Sequence, residues 1–216
     1  MDLEASKNLG GVGALLIFVG PLLGFLPRVG FYTGILSLIG AILVLIALKG
    51  YADYYKESGI FNNALYAIVA AIVGAAAVAA VVIFAFAELF GELGLTLANI
   101  QDWSSVSGVF ANTANLDILL RFAGIVLLAL VVLFVLLVIA AFFLRKSLGL
   151  MATKTGVSLF ATTGLILLIG AVLVIIFGLG IVLMWISMVL LAIAFFSTRT
   201  QPMQSSQTTS GAQAPA

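Results

Sequence analysis

The chain has 216 residues, of which 64% are hydrophobic and 8% charged, with a mean hydropathy of +1.33. A soluble domain carries about 25% charged residues, so this composition excludes a water-soluble surface over most of the chain. A net charge of +1 excludes bulk attraction to nucleic acid, and the lack of both cysteine and histidine excludes disulfides, thiolate or imidazole catalysis and the commonest zinc, copper and haem ligands.

In chain order, Met1–Lys7 carries no basic leader pattern, so the first apolar segment, Leu9–Leu26, is expected as a retained span, punctuated by Pro27-Arg28. Span two is expected at Val29–Leu48, followed by a polar stretch, Lys49–Asn63. Span three is expected at Ala64–Ala87, and a long polar connection follows over 88–120. Span four, Phe122–Leu144, is a clean run of Leu, Val, Ile, Phe and Ala with one glycine, and a short basic loop is expected at Arg145–Thr155. The apolar stretch Gly156–Phe196 would be about 60 Å long as one helix. That is roughly twice the ~30 Å hydrocarbon thickness, so it must turn. Gly178-Leu-Gly180 is the natural place, giving span five at Gly156–Phe177 and span six at Ile181–Phe196. Residues 197–216 are Ser, Thr, Gln, Ala and Pro-rich and are expected to be a disordered polar tail.

The expected fold is therefore an all-α membrane protein: one six-helix transmembrane bundle over residues 1–196, because helices satisfy their own backbone hydrogen bonds in oil. Placing the N-terminus inside puts Lys7, Lys49, Lys56, Arg145, Lys146, Lys154 and Arg199 inside, against Arg28 and Arg121 outside. Cytoplasmic segments carry the excess of cations, so the expected protein is multi-pass in the cell membrane with both termini cytoplasmic.

Small residues at four-residue spacing let helices approach closely in lipid. Gly20 and Gly24 offer this in span one, Gly30 and Gly34 in span two, and Ala67, Ala71, Gly74 and Ala75 in span three. Span three is expected to be the buried centre, and span four to face lipid. The densest polar cluster is Lys49–Asn63. If span two continues as helix, Lys49, Asp53 and Glu57 stack at i, i+4 and i+8, with Lys56 beside Asp53. Lys49, Tyr51, Asp53, Tyr54, Lys56, Asn62 and Asn63 form a candidate cytoplasmic interaction patch, an interfacial anchor first and a headgroup or partner site second. Glu88 and Glu92 suggest an amphipathic segment at the outer surface, and Asp117 and Arg121 an i, i+4 ion pair.

No Asp, Glu, Lys, Arg, Asn or Gln lies near a span centre, where proton relays and coupled transporters need one. The expectation is a protein without catalytic residues, cofactor or metal, acting as a structural, assembly or lipid-interacting component. Its expected partners are the lipid bilayer and a further copy or another membrane protein, not nucleic acid. The alternatives are a carrier or channel for a small or apolar solute, with Ser37, Thr162, Thr163 and glycines lining a cavity, and an interfacial enzyme using Asp53, Lys56 and Tyr54 or the Glu88 and Glu92 side.

Several segments are similar to the archaeal membrane protein family catalogued as domain of unknown function 996. They are Leu-Gly-Gly-Val-Gly-Ala-Leu-Leu at 9–16, Ala-Leu-Lys-Gly-Tyr-Ala-Asp-Tyr-Tyr-Lys at 47–56 and Ile-Phe-Asn-Asn-Ala-Leu-Tyr at 60–66, with Lys-Thr-Gly-Val-Ser-Leu-Phe-Ala-Thr-Thr-Gly-Leu at 154–165 and Leu-Leu-Ala-Ile-Ala-Phe-Phe-Ser at 190–197. The resemblance implies a multi-span protein in an archaeal setting and transfers no catalytic residue.

Overall fold

The computed structural model describes residues 2–24, 33–94, 107, 116–176 and 178–199, and six helices are built from them. These are α1 (Leu3–Leu23), α2 (Thr33–Tyr55), α3 (Ser58–Glu92), α4 (Leu116–Thr155), α5 (Leu159–Leu173) and α6 (Leu179–Phe196). No strand occurs among the described residues. Five of the helices are long and apolar enough to cross a membrane; α5, at 15 residues, is a shorter apolar helix. Pro21 lies in the last turn of α1, where its missing N–H removes one helical hydrogen bond to the preceding turn, and the helix ends at Leu23.

Helices α3 and α4, of 35 and 40 residues, run past the ends of the expected spans. Their lengths are about 52 and 60 Å, well beyond the ~30 Å that oil requires. The short basic loop expected at Arg145–Thr155 is instead the last three turns of α4, and most of the polar stretch after span two is helix as well. In that segment Arg145, Lys146, Leu148, Leu150, Met151, Ala152 and Lys154 are strong helix formers and outnumber Ser147, Gly149, Thr153 and Thr155, and Leu148 and Met151 are fully buried there. Charge marks where the helix can leave oil, not where it must stop.

The helices pack in chain order, and α6 returns against α1 to close the bundle. The main core lies at one end, where α1, α3 and α5 begin and α2, α4 and α6 finish. Leu3 and Ala14 from α1, Tyr51 from α2, Ile60 from α3, Leu148 and Met151 from α4, Phe160 from α5 and Phe195 from α6 meet there. The aromatic rings bridge the bundle: Phe195 lies 5.9 Å from Tyr51 and 5.1 Å from Phe160, centroid to centroid. A smaller cluster, Ala141, Leu167 and Ala171, seals α4 against α5 with Met184 and Met188 of α6 beside it.

Close helix approaches follow glycines that differ from most of those expected. A Cβ at Gly40 of α2 would stand 2.6 Å from the Gly13 carbonyl oxygen of α1, and one at Gly180 of α6 would strike the Gly170 backbone of α5. Gly10 lies flat against the Phe195 ring. Span three is not the buried centre. Ala67 and Gly74 are buried, Gly74 against Leu136, but Ala71, Ala75 and Ala79 face outward. The reason is topological: α3 packs chiefly on α4 and only lightly on α2, so most of its circumference has no helix to meet. Gly20 is buried, Gly24 is exposed, and Gly34 has open space where a side chain would stand. Gly30 lies outside the described residues. So does the expected disordered tail from residue 200 on, while Ser197 and Thr198 finish α6 by bonding to the Ile193 and Ala194 carbonyls.

Candidate functional site

The polar residues picked out in the sequence gather around the turn that joins α2 to α3, at the packed end of the bundle. Helix α2 ends at Tyr55, and Lys56 takes a left-handed backbone, φ 52°. The Glu57 N–H reaches the Ala52 carbonyl at 2.9 Å and the Lys56 N–H the Asp53 carbonyl at 3.4 Å. That is the paired-bond C-terminal motif in which glycine is the usual left-handed residue. A lysine there accepts a cost of about 1 kcal/mol. Glu57 then turns to Lys154 at the end of α4, with oxygen and nitrogen 3.2 Å apart. The buried Ser147 hydroxyl of α4 donates to the Ile60 carbonyl of α3 at 2.6 Å. The two contacts pin the α2–α3 turn to the end of α4.

The candidate patch divides on this frame. Tyr51 is wholly buried, so it belongs to the core rather than to a surface; its hydroxyl lies against Thr198 without a well-formed hydrogen bond. Asn63 is also buried, its amide donating to the Gly59 carbonyl at 2.6 Å. Lys49, Asp53, Tyr54, Lys56 and Asn62 are exposed. Lys49 carries its ammonium 5.1 Å from the centre of the Phe61 ring, a cation–π contact that holds its stem along the bundle. Tyr54 meets Tyr55 edge to face at 5.0 Å. No side-chain hydrogen bond or ion pair links Asp53, Tyr54 and Lys56 among the described residues, so their side chains are an array of separate exposed groups and not a linked acid–base constellation. The described residues also hold no group of three or more Asp or Glu side chains that could enclose a metal ion.

Hydroxyls within the apolar segments turn back on their own helices. Thr163 donates to the Leu159 carbonyl at 2.7 Å and Ser187 to the Met184 carbonyl at 2.5 Å. Thr162 reaches the Ser158 carbonyl at 3.4 Å from an exposed position. Ser37, on α2, is half-buried. Thr162 lines a groove with Arg145, Gly149, Ala161 and Leu165, in which neither Ser37 nor Thr163 takes part.

At the opposite end, Arg121 of α4 pairs with Glu92 of α3 at 3.1 Å, in place of the expected partner one turn away, Asp117. The Glu88 and Glu92 segment is the last turn of α3, and the rest of the proposed surface segment, from residue 95, lies outside the described residues. Between α1 and α6, the Trp185 indole N–H donates to the Phe18 carbonyl at 2.8 Å and the two rings stack at 4.5 Å. Sequence reasoning missed this staple and the Ser147–Ile60 bond. Both join residues distant in the chain, and a pairing of that kind leaves no local pattern to read.

A family model described as "Protein of unknown function (DUF996)" matches residues 36–189. An uncharacterized protein of Methanocaldococcus jannaschii is 29% identical over 197 residues, which is 91% of this chain and 93% of that relative. No solved structure matches the chain.

Proposed function

This chain belongs to the DUF996 family, and from that premise we propose that it is a non-enzymatic component of the cell membrane that organises lipid or a neighbouring membrane protein. The observation that carries the reading is the filled interior of the packed end. Tyr51, Phe160 and Phe195, each fully buried, join α2, α6 and α5 across the bundle, with Ile60 and Met151 completing the layer. A solute path through the bundle would have to displace this layer. The buried hydroxyls of Thr163 and Ser187 support the same reading, since their protons are already committed to their own helices and offer little to replace a solute's water.

In the proposed orientation the packed end is cytoplasmic. It carries Lys7, Lys49, Lys56, Arg145, Lys146, Lys154 and Arg199, while Arg121 stands at the other end. The cation excess on one side is what holds short cytoplasmic segments inside. The chain has no cysteine, which makes the orientation directly testable. Single substitutions Ser58→Cys, Thr153→Cys and Gly91→Cys all fall at exposed positions. With a membrane-impermeant thiol reagent on intact cells, only Gly91→Cys is expected to label; labelling at Ser58→Cys or Thr153→Cys would reverse the orientation.

The functional reading is tested by reconstituting the chain in sealed vesicles. Their permeability to small neutral and charged solutes is expected to equal that of empty vesicles, while a native membrane extract yields copurifying lipid or protein. Saturable solute uptake above that of empty vesicles would replace the reading with that of a carrier.

A further inference from the structure

We infer that the groove between α4 and α5 at the packed end is a binding site for one anionic membrane lipid, with the headgroup phosphate on Arg145 and an acyl chain along α5. The inference rests on the bilayer placement proposed above. The groove has a volume of about 350 Å3 and is lined by Arg145 and Gly149 of α4 and by Ala161, Thr162 and Leu165 of α5.

Arg145 and Thr162 give it a polar mouth, and Leu165 an apolar floor. Arg145 is exposed and has no ion-pair or hydrogen-bond partner among the described residues, while the nearest described acid–base pair, Glu57 with Lys154, is already closed. No carboxylate lines the groove. The backbone of Arg145 is nevertheless held firmly, because a Cβ at Gly164 would stand 3.0 Å from its Cα, so α5 presses directly on the base of this side chain. A fixed root with a free guanidinium suits bidentate binding of a phosphate. Thr162 keeps only a long 3.4 Å hydrogen bond to Ser158, so its proton is available to a stronger acceptor. Gly149 and Ala161 keep the walls low.

Depth selects the ligand. Arg145 ends the uncharged run 122–144 of α4, about 35 Å of helix, which sets its guanidinium at the level of lipid phosphates. From the groove, Leu165, Ile169 and Val172 form an exposed stripe on α5, at i, i+4 and i+7, leading away from Arg145. A free phosphate would use only the mouth; a lipid uses both the mouth and the stripe.

The test uses the purified full chain in detergent, titrated with dioleoyl phosphatidylglycerol or dioleoyl phosphatidylcholine, with bound lipid counted by native mass spectrometry. One phosphatidylglycerol is expected to remain at concentrations where phosphatidylcholine does not. Arg145→Gln and Ala161→Trp, the second filling the groove while keeping the charge, are each expected to weaken retention about tenfold. Arg199→Gln is expected to leave it unchanged. Millimolar inorganic phosphate is expected not to displace the lipid; full displacement would make the groove a soluble-anion site and overturn the lipid assignment. Retention unchanged in Arg145→Gln or in Ala161→Trp would also overturn it. Ala161 is exposed, so its variant leaves the core intact, and circular dichroism checks both. Flotation with phosphatidylcholine vesicles separates the two readings. A chain that fails to float fails the bilayer placement, whereas one that floats without lipid preference fails the site alone.

Discussion

The α3–α4 hairpin presents the same residue types to two different surroundings. At the packed end, Ile60 and Ala64 of α3 and Leu148 and Met151 of α4 are completely buried. Toward the far end, Ile83 and Phe84 are 69% and 70% exposed, and Leu127 and Leu128 are 63% and 64% exposed. In water such exposure would be costly. In lipid it is not, since the tails are as apolar as leucine and helices gain from packing only where shapes fit. Burial in this protein is therefore concentrated where the helices emerge from oil, and the far half of the hairpin is lipid-facing surface.

The strongest test of that contrast compares two phenylalanines. Phe195 is fully buried and touches Gly10, Tyr51 and Phe160, whereas Phe84 is mostly exposed. Phe195→Ala is expected to cost about 3–5 kcal/mol of stability by opening a cavity. Phe84→Ala is expected to stay within about 0.5 kcal/mol, as at an ordinary surface. Equilibrium unfolding in mixed micelles measures both. Equal losses would mean that the far half of the hairpin has a packed core of its own.

Glycines sharpen the contrast by sign. Gly40→Ala places a methyl 2.6 Å from the Gly13 carbonyl oxygen and 2.9 Å from Ile17, and is expected to destabilise by about 1–3 kcal/mol through overpacking. Gly34→Ala, in the first turn of the same helix, meets nothing within 4 Å and is expected to stabilise by up to about 1 kcal/mol through helix propensity alone. The same unfolding assay reads both; a loss at Gly34→Ala would mean that something covers the start of α2.

These two glycines also show what the sequence can and cannot disclose. Composition and run length were enough for an all-helical bundle with long apolar helices, because a backbone in oil has few alternatives. The turn near Gly178 was legible from length, and Gly178 does take a left-handed backbone, φ 72°, just before α6. Which small residues meet a neighbour was not legible. The spacing of Gly30 and Gly34 resembles that of a packing face, yet Gly34 is open and the α1–α2 contact runs through Gly13 and Gly40, which lie in different helices and share no local pattern. Polar letters misled in the same way. Tyr51 and Asn63 sit among exposed charges in sequence, but helical rotation turns them inward, while Lys49 and Asp53 point out. Arg145 reads as part of a loop until the helix is seen to continue through it.

The smallest expected effect concerns the far tip of the hairpin, where Glu92 and Arg121 join α3 to α4. Their side chains are 35% and 59% exposed, so water and salt screen the attraction. An exposed pair of this kind contributes about 0.2–1 kcal/mol. Glu92→Gln is expected to lose no more than that at low ionic strength. The loss should vanish near ~1 M salt, where the screening length falls to about 3 Å. The exchanged pair, Glu92→Arg with Arg121→Glu, is expected to recover it. A loss well above this range, persisting in high salt, would mean that the pair is shielded from water in the membrane. The far end would then be covered by a partner or a second copy, and the contrast between a packed end and an open far hairpin would apply to the isolated chain alone.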